Sequence, residues 1–313
     1  MRHRFALFTV GFTFFVLFMG VLVTATQSQD ACGTDWPGCN GRLFPDITDY
    51  KQVIEYTHRL VVGLLGFILL INAIFAWIKK YPGERAVSIL SPLSLFLLFL
   101  QVLVGGFNVM LGTPPGFTTL DVAVSLALFS SLVFLTTALM RRGTEEKKSP
   151  EPIGGERGSK LFGPALTLLL LFYAETILGA FFKHSAAADV YMGITPHQQL
   201  IQSPYWAHFL FFTHWIFAFV VLIFLLRLLF RSWRMKKEKN AVLFLTLVVL
   251  LEMGMGFITV FTRLSAFSVS LHMILASAGI GLSSYIVGKS LFGDDYSILQ
   301  PERGSVYGTV HGR

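Results

Sequence analysis

The chain has 313 residues, 54% of them hydrophobic and only 14% charged, against roughly 25% charged in a soluble domain. It carries 31 Phe and a mean hydropathy of +0.64. Its apolar runs are about 20 residues long, the length a helix needs to cross ~30 Å of hydrocarbon. A soluble protein is excluded, and an all-α membrane protein is indicated. The formal charge of +7 does not indicate nucleic acid, because the basic residues cluster at the ends of apolar runs, as in Lys79-Lys80, Arg141-Arg142 and Arg231 to Lys239.

Hydropathy predicts eight spans, at about 5–25, 52–78, 86–111, 117–140, 161–182, 204–228, 240–262 and 266–288. The first follows Arg2 and Arg4 and ends near Val23-Thr24-Ala25, but its apolar run is too long for a secretory signal. With the N-terminus placed in the cytoplasm, 20 Lys and Arg fall inside and 5 outside (Arg42, Lys51, Arg59, Lys183 and Arg263). The positive-inside rule therefore predicts both termini in the cytoplasm of a multi-pass cell-membrane protein. The loop 26–51 is then outside. It holds the only two cysteines, Cys32 and Cys39, too few for a four-Cys zinc site, and an oxidising exterior favours a disulfide between them.

The charged segment 141–160, with Pro150, Pro152, Gly154, Gly155 and Gly158, reads as a cytoplasmic linker. It falls at the midpoint of the spans and separates an N-terminal bundle (1–140) from a C-terminal bundle (161–292), with 293–313 as a cytoplasmic tail. The halves repeat. Thr57-His58 on the second span matches Thr213-His214 on the sixth at an offset of 156. Gln101 to Gly105 matches Glu252 to Gly256, and Asp121 matches His272, both at an offset of 151. Gly20 matches Gly179 near the ends of the first and fifth spans. An even number of helices separates the copies, so they are parallel repeats, and the predicted fold is eight transmembrane helices in two pseudo-symmetric four-helix bundles.

An ionisable residue inside a span costs several kcal/mol unless it faces the interior and finds a partner. Here these residues are Glu55, His58, Asp121, Glu175, His214, Glu252 and His272. At ~1.5 Å per residue, Asp121 is about 6 Å deep, His58 and His272 about 9 Å and His214 about 15 Å, all in the outer half. His214 and His272 lie on the second and fourth helices of one bundle amid apolar and small neighbours, with no charge partner evident. Two neutral imidazoles facing across a bundle suit axial ligation of haem iron. Glu175 and Glu252 have no neighbouring His in sequence and read as protonated hydrogen-bond donors between helices.

Glu55 and His58 share one face of their helix, three residues apart, whereas the sixth span has Phe211 and His214 in those places. A carboxylate beside a ligand moves protons or stabilises developing charge and a Phe only packs, which makes the N-terminal half the reactive one and the C-terminal half an electron carrier. The competing reading of Glu55 is an (i, i+4) salt bridge to Arg59. His184, His197 and His208, in or beside the loop between the fifth and sixth spans, line a lid or sit on the surface; His3 and His311 are terminal.

The run Cys32-Gly33-Thr34-Asp35-Trp36-Pro37-Gly38-Cys39-Asn40-Gly41, then Glu55-Tyr56-Thr57-His58-Arg59 and Gln101-Val102-Leu103-Val104-Gly105, resembles the haem A synthase family of terminal-oxidase assembly. The resemblance covers nearly the whole chain. It implies an enzyme that oxidises the C8 methyl of haem O, its substrate, to a formyl group by successive hydroxylation. It also implies a b-type haem cofactor held by His214 and His272 and relaying electrons, an essential Glu55, and a role for Cys32 and Cys39 in haem handling. His58, Arg59 and Asp121 fall in the substrate-haem region, with His58 an iron ligand. The implied partners are haem O and the haem O synthase that delivers it, an electron donor, lipid and a second copy of the chain. The family generally has a second His on the fourth span where this sequence has Asp121; a carboxylate there is compatible with weak axial ligation, a held water, or five-coordinate iron on His58 alone. The alternatives are a membrane b-type cytochrome that carries electrons without modifying haem, and a small-solute carrier.

Overall fold

The computed structural model describes residues 2–35, 38–78, 85–145, 160–195 and 200–292. Through them run α1 (Arg2–Ala25), α2 (Tyr50–Ile78), α3 (Arg85–Met110), α4 (Phe117–Glu145), α5 (Phe162–His184), α6 (Ala187–Tyr191), α7 (Pro204–Met235), α8 (Lys239–Phe261) and α9 (Ala266–Phe292). All but the one-turn α6 are long and apolar enough to cross a bilayer, and the described residues contain no β-sheet.

Large apolar side chains face outward along the spans, Phe67 at 68% and Phe230 at 71% exposure among them. Such a surface is an aggregation hazard in water and the required surface in lipid. Aromatic residues mark the interfaces. Tyr50 and Trp77 on α2, like Trp206 and Trp233 on α7, are exposed; each pair is separated by about 40 Å of helix at ~1.5 Å per residue, close to a bilayer with its headgroups. The protein is a multi-pass helical membrane protein.

Helix starts follow local chemistry. Before α2, Asp46 Oδ1 accepts from Thr48 Oγ1 (2.7 Å) and Thr48 N (3.0 Å), which holds its carboxyl below the ordinary value. Asp49 then caps α2, its Oδ1 accepting from Lys51 N at 2.9 Å. Ser203 precedes α7 with extended backbone and Pro204 opens the helix, where a missing N–H costs nothing. Several helices outrun their apolar stretches. α7 continues to Met235 and α4 to Glu145 rather than ending near 228 and 140, because a helix rich in Arg and Leu has no reason to stop where hydrocarbon ends. The short α6 had no hydropathy signal. Of the linker 141–160, only 141–145 (in α4) and residue 160 fall among the described residues; the tail 293–313, His197 and His311 lie outside them.

α1, α2, α3 and α4 pack in sequence and α4 closes on α1; α5, α7, α8 and α9 pack in the same order and α9 closes on α5. α4 lies along α9 between these two rings, with α1 against α9 and α4 against α5 beside that seam. One apolar core, containing Leu168, Phe172, Leu225, Leu245 and Ile280, fills the second ring; two smaller ones, around Leu69 and Leu132 and around Ala76 and Leu135, fill the first.

α9 sits at the seam because it is lined with small residues. Gly279 faces the Phe172 ring of α5, Gly281 the Phe129 ring of α4 and Gly288 Thr137 of α4. Small residues let membrane helices approach closely where no hydrophobic force between them is available. A methyl group on Gly281 would stand 2.7 Å from Phe129 Cε1. Gly281→Leu is therefore expected to destabilise the fold by about 1–3 kcal/mol through overpacking, read as a lower melting temperature in detergent; an unchanged melt would show that the seam is not tightly packed.

Candidate functional site

The polar interior gathers near the face of the spans that carries the cysteine loop. Cys32 and Cys39 form a disulfide. The loop around them is folded by its own motif. Asn40 takes a left-handed conformation and its Nδ2 donates to Ala31 O at 2.8 Å, while Asp35 Oδ2 accepts from Gly41 N at 2.6 Å. Gly38 lies so close to the Arg42 carbonyl that no side chain fits there.

This loop is pinned to α2 by Glu55 and Arg59. Glu55 is buried at 3% exposure; its Oε2 accepts from Cys32 N at 2.8 Å and its Oε1 from Arg59 Nη2 at 2.6 Å. Arg59 also donates to the Gly33 carbonyl at 2.7 Å and the Asp35 carbonyl at 2.5 Å. The (i, i+4) salt bridge is thus present, and Glu55 is bound to the loop rather than free beside His58. A second tie runs from Thr113 Oγ1 to Asp30 Oδ1 at 2.9 Å, so the loop lies across the entrances of α2 and α4.

Four positions in the spans share one construction. The His58 ring on α2 packs against Gly20 of α1, His214 on α7 against Gly179 of α5, and His272 on α9 against Gly256 of α8. Asp121 on α4 packs against Gly105 of α3. A methyl group on Gly179 would stand 2.7 Å from His214 Cε1; on Gly20 or Gly256 it would stand 3.2 Å from the facing Cε1. Each glycine is a recess that receives a side chain from the next helix.

One turn before three of these glycines comes a polar residue: Gln101 before Gly105, Glu175 before Gly179 and Glu252 before Gly256. Spacing of four puts it on the same helix face as the recess, and there it meets the inserted side chain. His272 Nδ1 lies 3.0 Å from the Glu252 carbonyl and 3.1 Å from Glu252 Oε1. His214 Nδ1 lies 3.1 Å from Glu175 Oε1, without the alignment of a full hydrogen bond. Gln101 Nε2 donates to Asp121 Oδ1 at 2.7 Å. The two carboxylates are each 3–4% exposed.

The expectation that His214 and His272 have no charge partner is therefore corrected: Glu175 and Glu252 back them. These partners are 39 and 20 residues away in sequence, and the signal that finds them is the four-residue spacing to glycine. On α1 the position one turn before Gly20 is Val16, and His58 Nδ1 is buried with no partner.

Over the second ring lies an aromatic lid. Phe211, at the place equivalent to Glu55, stacks on Tyr191 of α6 with ring centres 4.1 Å apart, and Phe182 lies 6.0 Å from it. His208 is exposed and held locally, its Nδ1 2.7 Å from the Pro204 carbonyl. The His184 carbonyl accepts from Gly116 N at 2.7 Å, which joins the α3–α4 connection to the end of α5. Among the described residues no cluster of three or more His, Cys, Asp or Glu is arranged to hold a bare metal ion.

The arrangement defines a helical membrane protein that presents imidazoles from α2, α7 and α9 toward one face, those of the second ring with carboxylates 3.1 Å from Nδ1. Residues 3–282 match the COX15-CtaA family of cytochrome oxidase assembly proteins. The chain is 32% identical over 282 residues to the haem A synthase of Alkalihalophilus pseudofirmus, covering 87% of this chain and 91% of that one. It is 29% identical to that of Halalkalibacterium halodurans over the same shares, and 28% identical to that of Exiguobacterium sibiricum over 91% of this chain and 95% of that one. The chain belongs to the haem A synthase family.

Arg59→Ala would leave Glu55 buried without its cation, at an expected cost of about 3–5 kcal/mol, and would release the carbonyls of Gly33 and Asp35. Cys32 and Cys39 should then react with a thiol label after mild reduction faster than in the parent protein. Equal labelling rates would show that Arg59 does not hold the loop.

Proposed function

We propose that this chain is a haem A synthase, oxidising the C8 methyl of haem O by successive hydroxylation, with loss of water leaving a formyl group. The ring within 1–140 is the substrate half and the ring within 161–292 the electron-carrying half. Family membership supports the reaction, and the observation that carries the division of labour is the pair His214 and His272, each with a carboxylate behind Nδ1.

A histidine whose Nδ1 faces a carbonyl or carboxylate oxygen is steered in tautomer and presents Nε2 to iron; His272 Nδ1 meets the Glu252 carbonyl at 3.0 Å, and Glu175 Oε1 stands 3.1 Å from His214 Nδ1. The residues therefore fit a b-type haem between His214 and His272, which when bound supplies one-electron redox chemistry. Gly179 and Gly256 make room for the two imidazoles, and Phe182 and Tyr191 pack on Phe211 in this half.

In the first ring His58 positions the substrate by its iron. Glu55, one turn nearer the loop on the same face, places a negative charge where positive charge develops during oxidation of the methyl group. Its two oxygens are held by Cys32 N and Arg59, so release of the cysteine loop frees it for proton transfer and also opens the way for haem O. The charge asymmetry of the loops supports both termini in the cytoplasm and the cysteine loop outside, where an oxidising compartment would maintain the disulfide. Haem O synthase, an electron donor and lipid are the partners this reading requires.

An electron-carrying b-type cytochrome without haem-modifying activity would use the same histidines. The engagement of both Glu55 oxygens is the observation that favours it, and haem extraction from cells supplied with haem O decides. Glu55→Gln is expected to keep the b-haem absorbance and to abolish haem A; normal haem A output would remove Glu55 from the reaction. His272→Ala is expected to lose the low-spin b-haem spectrum, and an unaltered spectrum would remove His272 as a ligand.

A further inference from the structure

The two rings differ at one place where a ligand is expected. Gln101, Gly105 and Asp121 in the first correspond to Glu252, Gly256 and His272 in the second, each at an offset of 151. A methyl on Gly105 would lie 3.5 Å from Asp121 Oδ1, and a methyl on Gly256 would lie 3.2 Å from His272 Cε1. The Asp121 carboxylate thus occupies against its glycine the position that the imidazole occupies in the other ring.

Three features argue against Asp121 as an iron ligand. Its side chain is one bond shorter than the path from Cα to Nε2 of a histidine. Its Oδ1 is drawn toward α3 by the Gln101 amide at 2.7 Å. A carboxylate is also absent from the usual axial ligands of haem iron, which are His, Cys, Met and Tyr. Among the described residues of the first ring, His58 is the only imidazole near the cysteine-loop face.

We propose that the substrate porphyrin in the first ring is held through His58 alone, and that Asp121, fixed by Gln101 in the recess at Gly105, is a positioning residue that keeps the α4 side of the iron open. This rests on the haem A synthase reading and adds to it a coordination state. The substrate iron is five-coordinate and high-spin, accessible to a small co-substrate, whereas the haem between His214 and His272 is bis-imidazole, low-spin and closed. The polar partners agree with these assignments. On α8 the Glu252 carbonyl takes the Nδ1 side of an imidazole that must present Nε2, with the Glu252 carboxylate 3.1 Å away, and on α3 an amide donates to a carboxylate that must be held back.

The test is titration of the purified full-length protein in detergent with haemin, read by absorbance and electron paramagnetic resonance. The parent protein should take up a low-spin and a high-spin haem in comparable amounts. Asp121→His places an imidazole in the Gly105 recess and should convert the high-spin haem, so that the low-spin share rises about twofold toward completeness. Asp121→Ala should leave the high-spin signal in place. The low-spin signal of the second ring reports that each variant is folded. A parent protein with two low-spin haems, a high-spin haem unmoved by Asp121→His, a high-spin spectrum altered by Asp121→Ala, or uptake of a single low-spin haem would each overturn the proposal while leaving the b-haem site standing. Haemin that all separates from the protein on desalting, leaving no haem absorbance with it, would strike the haem reading itself and the proposal with it.

Discussion

Hydrocarbon offers no hydrogen bonds, so an ionisable side chain carried into these spans is costly unless a partner meets it. That requirement organises the interior. His272 is met by Glu252, His214 by Glu175 and Asp121 by Gln101, always across a contact between adjacent helices of one ring. Moving any of these helices by a fraction of a turn would leave a buried charge or amide unpaired at a cost of several kcal/mol. The polar pairs thus fix helix rotation, which the uniform apolar surface of the spans leaves undetermined.

The glycines complete the constraint. An imidazole can reach the interior between two packed helices only if one of them gives up a side chain, and Gly20, Gly179 and Gly256 do so. Recess and polar partner lie one turn apart on the same helix, so one helix both receives the ring and orients it. The second ring contains this unit on two helices, α5 and α8. In the first ring α3 keeps both parts, while α1 keeps the recess and has Val16 in place of the partner. Among the described residues His58 Nδ1 then has no carboxylate behind it, whereas Glu175 and Glu252 stand 3.1 Å from the Nδ1 atoms of His214 and His272.

The spans were legible in the sequence because crossing a bilayer needs about 20 apolar residues in a row. The histidines, Asp121 and the Glu55–Arg59 spacing were legible because polar residues are so rare in such runs. What hydropathy did not reach was rotation. Which residue of α5 faces which residue of α7 depends on packing across the ring, so Glu175 and Glu252 were recognised as buried carboxylates but not as the partners of particular imidazoles. The one-turn α6 was missed for a different reason. It is too short to carry a periodic signal and is held by the stacking of Tyr191 on Phe211, a contact between segments 20 residues apart. Arg59 was read as the rival partner of Glu55, and its reach to the carbonyls of Gly33 and Asp35 depends on how the cysteine loop folds back over α2.

On the proposed reading, the same scaffold serves two chemistries through changes at few positions. On the entrance side, Glu55 under a polar, disulfide-closed loop is replaced by Phe211 under an aromatic lid. On that reading the polar loop is the entrance for an exchangeable porphyrin, and the stack of Phe182, Tyr191 and Phe211 belongs to the half that keeps its haem. On the far side of the pocket, the carboxylate Asp121 stands where the imidazole His272 stands. An exchangeable substrate needs an iron that is held weakly enough to leave and open enough to react; a resident redox haem needs neither. Entrance and ligand differ between the rings in the same sense, and that agreement between two places on different helices is a stronger argument for the assignment of roles than either difference taken alone.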